Sequence, residues 1–264
     1  MNNKSLSVTT IIPAYNAGKL ISRTLASVIG QTYPTWKAIV VDDGSSDDTC
    51  DIVQSIAQKE ERVSLLMLEK NYGAPSRPRN LGVAEADGDW IAFLDADDIW
   101  HPQKLELQIN AILRSGARFC CTAMCDFTNE TQNDNPVYFE SLPTSKITFE
   151  DHRLKGRIPN SSVLVESALV RQFPFEEKLM YKAVEDYHCW LRILNSGETC
   201  LKIELPLLYY RRSPGQISGS KINMMKKIYM VHSQYKDTSS LQAAFFTSMH
   251  VIGGAYFRFF RGKL

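Results

Sequence analysis

The sequence predicts an α/β fold with a mostly parallel central sheet flanked by helices, followed by a helical C-terminal extension. Three observations carry this reading. Short β-branched runs alternate with helix-period segments from Val8 to about Phe127, the pattern of successive βαβ units. The runs Val8 to Ile12, Trp36 to Val41 and Val63 to Leu68 are apolar-rich, as strands covered on both faces are. Acidic clusters directly follow two of the strand runs, at the edge where an open parallel sheet holds its ligands.

The elements follow in order. After the first strand, Lys19 to Gln31 places Leu20, Ile21, Thr24, Leu25, Val28 and Ile29 on one helical stripe, and Pro34 ends the segment. The second strand, Trp36 to Val41, runs into Asp42-Asp43-Gly44-Ser45. Ser46 is the expected N-cap of the next helix. Asp47 and Asp48 then stand in its first turn, where the helix dipole favours negative charge, and Ile52, Val53 and Ile56 face the sheet. Val63 to Leu68 and Trp90 to Leu94 are the third and fourth strands, and Pro102 suits the first turn of a helix reaching about Arg114. Thr128 to Thr148 is polar, carries two prolines and reads as a loop or edge excursion. A helix over Ala183 to Ser196, a strand over Leu205 to Tyr210, a Gly/Pro/Ser loop from Ser213 to Ser220 and a helix from Leu241 to Leu264 complete the chain. The expected division is one domain over residues 1–220, made of halves 1–115 and 116–220, with a helical tail over 221–264.

The 264 residues are 44% hydrophobic and 22% charged, enough to bury a full core. Thirty Lys+Arg against 29 Asp+Glu leave no basic excess, so nucleic acid is not an expected partner. Cys50, Cys120, Cys121, Cys125, Cys189 and Cys200 have neither secretory framework spacing nor CxxC pairs, and read as core thiols of a reducing compartment. The expected location is the cytoplasm, because the N-terminus lacks signal-peptide features and no apolar run reaches the ~18 to 20 residues that span a bilayer. His101, His152, His188, His232 and His250 show no metal-ligand spacing. They read as bystanders.

Two clusters carry chemistry. Asp42-Asp43 stands at the rim of the ligand crevice, with Gly44 suited to the turn. In Asp95-Ala96-Asp97-Asp98, three carboxylates within four residues repel one another. A hard divalent cation, Mn²⁺ or Mg²⁺, bridging to phosphate oxygens resolves that conflict.

Ile11-Ile12-Pro13-Ala14-Tyr15-Asn16, the run from Val40 to Thr49 and the triplet Asp95-Ala96-Asp97, in this order, resemble the family 2 glycosyltransferases of the GT-A fold. The resemblance is close over Val8 to Arg114 and looser through Glu185 to Arg192. It implies transfer of a sugar from a nucleotide-diphosphate sugar, with a UDP-sugar the expected donor, onto an acceptor hydroxyl with inversion. The implied acceptor is a saccharide or lipid-linked saccharide of bacterial surface polysaccharide synthesis. By the same resemblance, Pro13, Ala14, Tyr15 and Asn16 line the base and ribose, and Asp43 accepts a hydrogen bond from the base. Asp97 holds the metal, Asp95 meets the ribose or the metal through water, and Ala96 lies between them. Arg79, in the stretch Gly73 to Gly82, neutralises Asp43 or contacts the nucleotide, while Arg77 reads as a solvated charge. Leu207 to Ser218 resembles a late Tyr-Arg loop, which puts Arg211 and Arg212 on the pyrophosphate, although Ser213 stands where many relatives have His. Asp186, with Glu185 second, is the implied general base.

Rival readings are a catalytically inactive nucleotide-sugar-binding protein of the same fold and a sugar-phosphate nucleotidyltransferase. The latter depends on a Gly-rich loop after its first strand, where this chain has Pro13 to Asn16 and only Gly18 nearby. A phosphorelay receiver is more distant, being much shorter. In the tail, Phe245, Phe246, Tyr256, Phe257, Phe259 and Phe260 accompany Arg258, Arg261 and Lys263, a composition suited to peripheral contact with the inner face of the plasma membrane.

Overall fold

A computed structural model describes residues 6–127, 142–212, 221–235 and 238–256. The four expected strands form as β1 (Val8–Ala14), β2 (Trp36–Asp42), β3 (Val63–Met67) and β4 (Trp90–Phe93). They pair in parallel, β1 with β2 and β4, and β2 with β3. β5 (Ile99–Trp100), β6 (Phe119–Phe127), β7 (Thr144–Ile147), β8 (Leu164–Glu166) and β9 (Cys200–Arg211) extend them into one sheet in the order β3-β2-β1-β4-β8-β6-β9-β5, with β7 also on β9. β8 runs antiparallel to β4 and β6, so the sheet is parallel on one side and mixed on the other.

Helices cover both faces: α1 (Ile21–Ile29), α2 (Thr49–Ala57), α3 (Ser76–Glu85), α4 (Lys104–Ser115), α5 (Phe149–Leu154), α6 (Ser167–Gln172), α7 (Glu185–Asn195), α8 (Lys221–Ser233) and α9 (Ser240–Tyr256). Alternation along each strand divides the core in two. Ile12 and Val40 join Leu25, Val53, Leu105 and Ile109 on one side. Ile11 and Val41 join Val83, Leu169, Trp190 and Leu194 on the other. Four cysteines are buried and all six are free thiols, in keeping with core packing. Among the described residues no helix is long and apolar enough to cross a membrane.

Several boundaries differ from expectation. α2 begins only at Thr49, and Ser46 does not cap it. The Ser46 amide instead donates to Asn16 Oδ1 at 2.9 Å, while Asp47 Oδ1 accepts from the Thr49 amide at 3.1 Å. A side chain committed to its own loop thus replaces the expected cap. Pro102 precedes α4 rather than opening it. β9 begins five residues before the expected strand because β7, the described end of the expected loop, pairs with its first half. α8 lies within the helical C-terminal extension expected from the sequence. The expected terminal helix is α9 as far as Tyr256, and Phe257, Arg258, Phe259, Phe260, Arg261 and Lys263 lie outside the described residues, as do 128–141 and the loop Ser213 to Ser220.

α8 packs across α7. Ile228 and Val231 meet Tyr181, Val184, Tyr187 and Leu191, while the opposite side of α7 sends Trp190 and Leu194 into the sheet core. The helix is therefore buried nearly all round, as helices between two layers are.

Candidate active site

Because β1, β2 and β4 are parallel, Tyr15-Asn16, Asp42-Asp43 and Asp95 to Asp98 emerge on one rim. Gly44 adopts φ +72°, and a Cβ there would come within 2.8 Å of the Asn71 nitrogen and Lys70 carbonyl carbon. Only glycine combines that left-handed turn with so close an approach. The approach brings the 71–73 segment onto Asp43, whose carboxylate accepts from the Tyr72 amide at 3.1 and 3.2 Å. Burial raises the Asp43 pKa from its ordinary value, against the pull of the Tyr72 and Gly73 amides. Pro13 is half-buried, Ala14 buried and Tyr15 51% exposed at the mouth. Asn16 holds φ 47°, with its amide donating to Ser45 Oγ at 2.8 Å.

Arg79 does not meet Asp43 as expected; its guanidinium is 4% exposed and donates to Asp95 Oδ1 at 2.8 Å and to Glu185 Oε1 at 3.0 Å. Burial opposes its charge, but Asp95, Glu185 and Asp186 outweigh that and hold it firmly cationic. The reason lies in how α3 lies on the sheet. A Cβ on Gly82 would come within 2.5 Å of Ile11 Cγ2, so glycine lets the helix settle directly on β1. From there the Arg79 turn reaches the end of β4. Arg77, expected in solvent, stacks over the Tyr72 ring at 4.3 Å and donates to Glu177 at 3.2 Å, which puts a cation beside Asp43.

Asp95 is fixed further by residues that sequence reasoning missed. Its amide donates to Ser161 Oγ at 3.1 Å, and Asn160 Nδ2 donates to its Oδ1 at 3.4 Å. Both lie in the short turn before β8, where an unremarkable polar run gave no signal. The Asp95 to Asp98 turn is pinned against α1, with the Thr24 hydroxyl 2.9 Å from the Ala96 and Asp98 carbonyls. Asp98 is buried rather than open to the cleft. Its Oδ1 accepts from the Arg211 amide at 2.9 Å and its Oδ2 is buried without a partner among the described residues.

Asp97 faces a different environment. Burial, then repulsion from Asp95, pushes its carboxyl up to about 6. Among the described residues no group of three or more His, Cys, Asp or Glu side chains gathers to hold a cation by itself. A carboxylate disfavoured by burial and by a neighbouring carboxylate does fit a divalent cation completed by substrate phosphates, since Mg²⁺ commonly takes one or two carboxylates and fills the rest of its shell that way. Arg211 Nε donates to the Asp97 carbonyl at 3.0 Å, and Arg212 pairs with Asp126. Both arginines therefore already have protein partners.

Across from this turn, α7 opens with Glu185 and Asp186, just after Ala183 at φ 71°. A left-handed alanine is strained, and it sits where the chain turns into the helix. Glu185 is buried in its pair with Arg79. Asp186 is half-buried, with Oδ1 accepting from the Tyr187 amide at 2.7 Å. Burial, then the negative charge of Glu185, pushes its carboxyl up to about 7 against the opposing pull of Arg79. The adjacent acids thus take separate environments, one locked to a cation and one poised near neutrality.

The Glycosyl transferase family 2 model matches residues 9–177. The UDP-Glc:alpha-D-GlcNAc-diphosphoundecaprenol beta-1,3-glucosyltransferase WfgD of Escherichia coli is 33% identical over 257 residues, covering 93% of each chain. Among solved structures, S. aureus TarS 1-349 in complex with UDP-GlcNAc superposes with a TM-score of 0.72 at 20% identity, covering 97% of this chain and 74% of that one. The mannosyltransferase PcManGT from Pyrobaculum calidifontis, in complex with GDP-Man and Mn²⁺, gives 0.67 at 15% identity, covering 94% and 70%. The strand-end clusters, the sheet that gathers them and the full-length relative lead to one conclusion: this chain belongs to glycosyl transferase family 2 and has the GT-A fold.

Proposed function

We propose that this glycosyltransferase moves a sugar from a UDP-sugar onto a hydroxyl of a saccharide or lipid-linked saccharide, with inversion at the anomeric carbon. The observation that carries the reading is the bridge Asp95–Arg79–Glu185. It ties the end of β4 to the start of α7, which supports a shared site for the Asp97 turn and Asp186.

In this reading Pro13, Ala14, Tyr15 and Asn16 line the base and ribose, and Asp43, kept in place by the Tyr72 amide, accepts from the base edge. Asp97 is the principal ligand of a divalent cation, with Asp95 and Ala96 beside it. That cation, when bound, stabilises the negative charge that grows on the leaving diphosphate. Arg211 steadies the Asp97 turn from its carbonyl side, and Arg212 exchanges Asp126 for the pyrophosphate. Asp186 takes the proton of the acceptor hydroxyl as the new bond to the sugar forms, a task for which a carboxylate titrating near neutrality is suited. Glu185 holds the pair's geometry through Arg79.

In this reading the C-terminal helices rest on a membrane surface. On α9, Ala243 and Thr247 are buried while Leu241, Phe245, Met249 and Ile252 form an exposed stripe, and on α8 Ile222, Met225 and Tyr229 are exposed as well. An apolar stripe of this kind suits peripheral attachment at the cytoplasmic face. WfgD is named for a lipid-diphosphate-linked acceptor, which agrees with such a location.

The test is a transfer assay with a panel of UDP- and GDP-sugars plus Mn²⁺ against saccharide and lipid-linked acceptors, with NMR of the product. Transfer from a UDP-sugar giving the inverted anomer supports the proposal. A retained anomer overturns the single displacement, and failure of every donor to bind overturns the donor assignment.

A further inference from the structure

The helix α7 enters the site through a turn that its own residues do not favour. Ala183 holds φ 71°, a left-handed conformation that glycine adopts freely and that asparagine or aspartate can offset with a local side-chain hydrogen bond. Alanine offers neither. Such a backbone persists only where the surrounding structure fixes it from several sides.

The anchors come from α8, and they flank Ala183. Before it, Lys227 Nζ donates to the Lys182 carbonyl at 2.5 Å and Gln234 Nε2 donates to the Tyr181 hydroxyl at 2.7 Å. After it, Val184 packs in one buried cluster with Ile228 and Val231. Lys227, Val231 and Gln234 follow one another at helical spacing, so one face of α8 and the residue just past its end make these contacts. The Val184 amide closes the turn onto the Tyr181 carbonyl at 2.8 Å. Glu185 comes next and is held from the other side by Arg79 at 3.0 Å. Two basic side chains therefore bracket the turn, Lys227 ahead of Ala183 and Arg79 behind it.

The consequence falls on Asp186. Its direction follows from the backbone of residues 183–185, and its Oδ1 accepts from the adjacent Tyr187 amide, which moves with the same helix. Relaxation of Ala183 toward the right-handed region would re-aim the first turn of α7 and the carboxylate with it. The donor side would stay in place, since Asp43 and Asp97 follow β2 and β4.

We infer that Lys227 is a positioning residue: it holds the strained Ala183 turn and thereby sets the first turn of α7, where Glu185 and Asp186 stand. The C-terminal extension on this account completes the active site. Its link to catalysis rests on the proposed role of Asp186 as base.

The experiment compares the full chain with Lys227→Met, Ala183→Gly and Asp186→Asn, and with Lys227→Met combined with each of the other two. Methionine keeps an apolar stem and removes the donor. The Val184 and His188 amides, which donate to the Tyr181 and Val184 carbonyls, should exchange about tenfold faster in Lys227→Met when followed by NMR, the worth of one hydrogen bond. Amides of α1 should not change. With the donor and acceptor pair found by the transfer panel, kcat should fall about tenfold at a temperature where the variant stays folded, while UDP with Mn²⁺ binds as in the parent. Ala183→Gly takes the left-handed turn without strain, so it should restore most of both losses in the double variant. In Asp186→Asn, Lys227→Met should cost no further kcat.

Unchanged exchange in Lys227→Met, or losses that Ala183→Gly does not reduce, overturn the clamp. So does parent kcat in Lys227→Met where Asp186→Asn is impaired, and this leaves Asp186 standing as base. Faster exchange and lower kcat that Ala183→Gly reverses, alongside parent kcat in Asp186→Asn, keep the clamp and overturn the base reading.

Discussion

Arg79 and Glu185, 106 positions apart in the chain, meet as a buried pair at 3.0 Å, and the same guanidinium reaches Asp95 at 2.8 Å. One planar group thereby fixes two carboxylates from different elements, which a point-charge ammonium cannot match. Arg79→Met should cost about 3 kcal/mol in urea unfolding, because it leaves the buried Glu185 carboxylate unpaired, whereas Asp95 is 34% exposed and stays solvated. Arg79→Lys should fall between that variant and the parent. Wild-type stability in Arg79→Met would show that the bridge holds nothing together.

Asp186→Asn should lower kcat by about 10² to 10⁴ with donor affinity nearly unchanged, since a base acts in the transition state. Its carboxyl titrates near 7, and only the ionised form takes a proton. The kcat/KM of the parent should therefore rise as pH increases through about 7, and that limb should disappear in the variant. A limb that survives Asp186→Asn assigns the base elsewhere.

Asp97→Asn, or chelation of the parent, should reduce transfer by about 10²-fold or more, equivalent to about 3 kcal/mol of lost charge stabilisation. Calorimetry of UDP with and without Mn²⁺ separates binding from chemistry. The Mn²⁺-dependent part of the affinity should vanish in the variant. Turnover undiminished in excess chelator would remove the cation from the mechanism.

His152, His232 and His250 gather around Tyr187, with ring distances of 4.9, 5.8 and 4.7 Å. Burial is the first cause holding their pKa values to about 3, 3 and 4. The unfolded chain binds protons near 6.5 and the folded one does not, so stability is present above that pH and lost as pH falls toward 4. Asp43, Asp97, Asp98 and Asp186 act oppositely, their raised pKa values favouring the folded state as pH falls, so the histidine contribution is read by difference. His250→Leu should lose less stability than the parent in urea unfolding between pH 7 and pH 5. Equal losses in the two proteins would show that His250 does not stay neutral on folding.

The parallel strands and their acidic ends are written in local sequence. Apolar runs such as Val8 to Ile12 and turn residues such as Gly44 act over a few positions, so the rim carrying Asp43, Asp95 and Asp97 was legible before any coordinates. The family resemblance also singled out Glu185-Asp186. The partners of these charges depend on how distant elements pack. Gly82 against Ile11 sets where α3 lies, and so Arg79 meets Asp95 and Glu185 rather than Asp43. The 160–162 turn supplies Asn160 and Ser161 from across the sheet, and α8 encloses α7 so that histidines without any sequence spacing share one buried cluster. Periodicity records which face of an element is apolar, whereas buried charges are matched by packing between elements far apart in the chain, where no local pattern encodes the pairing.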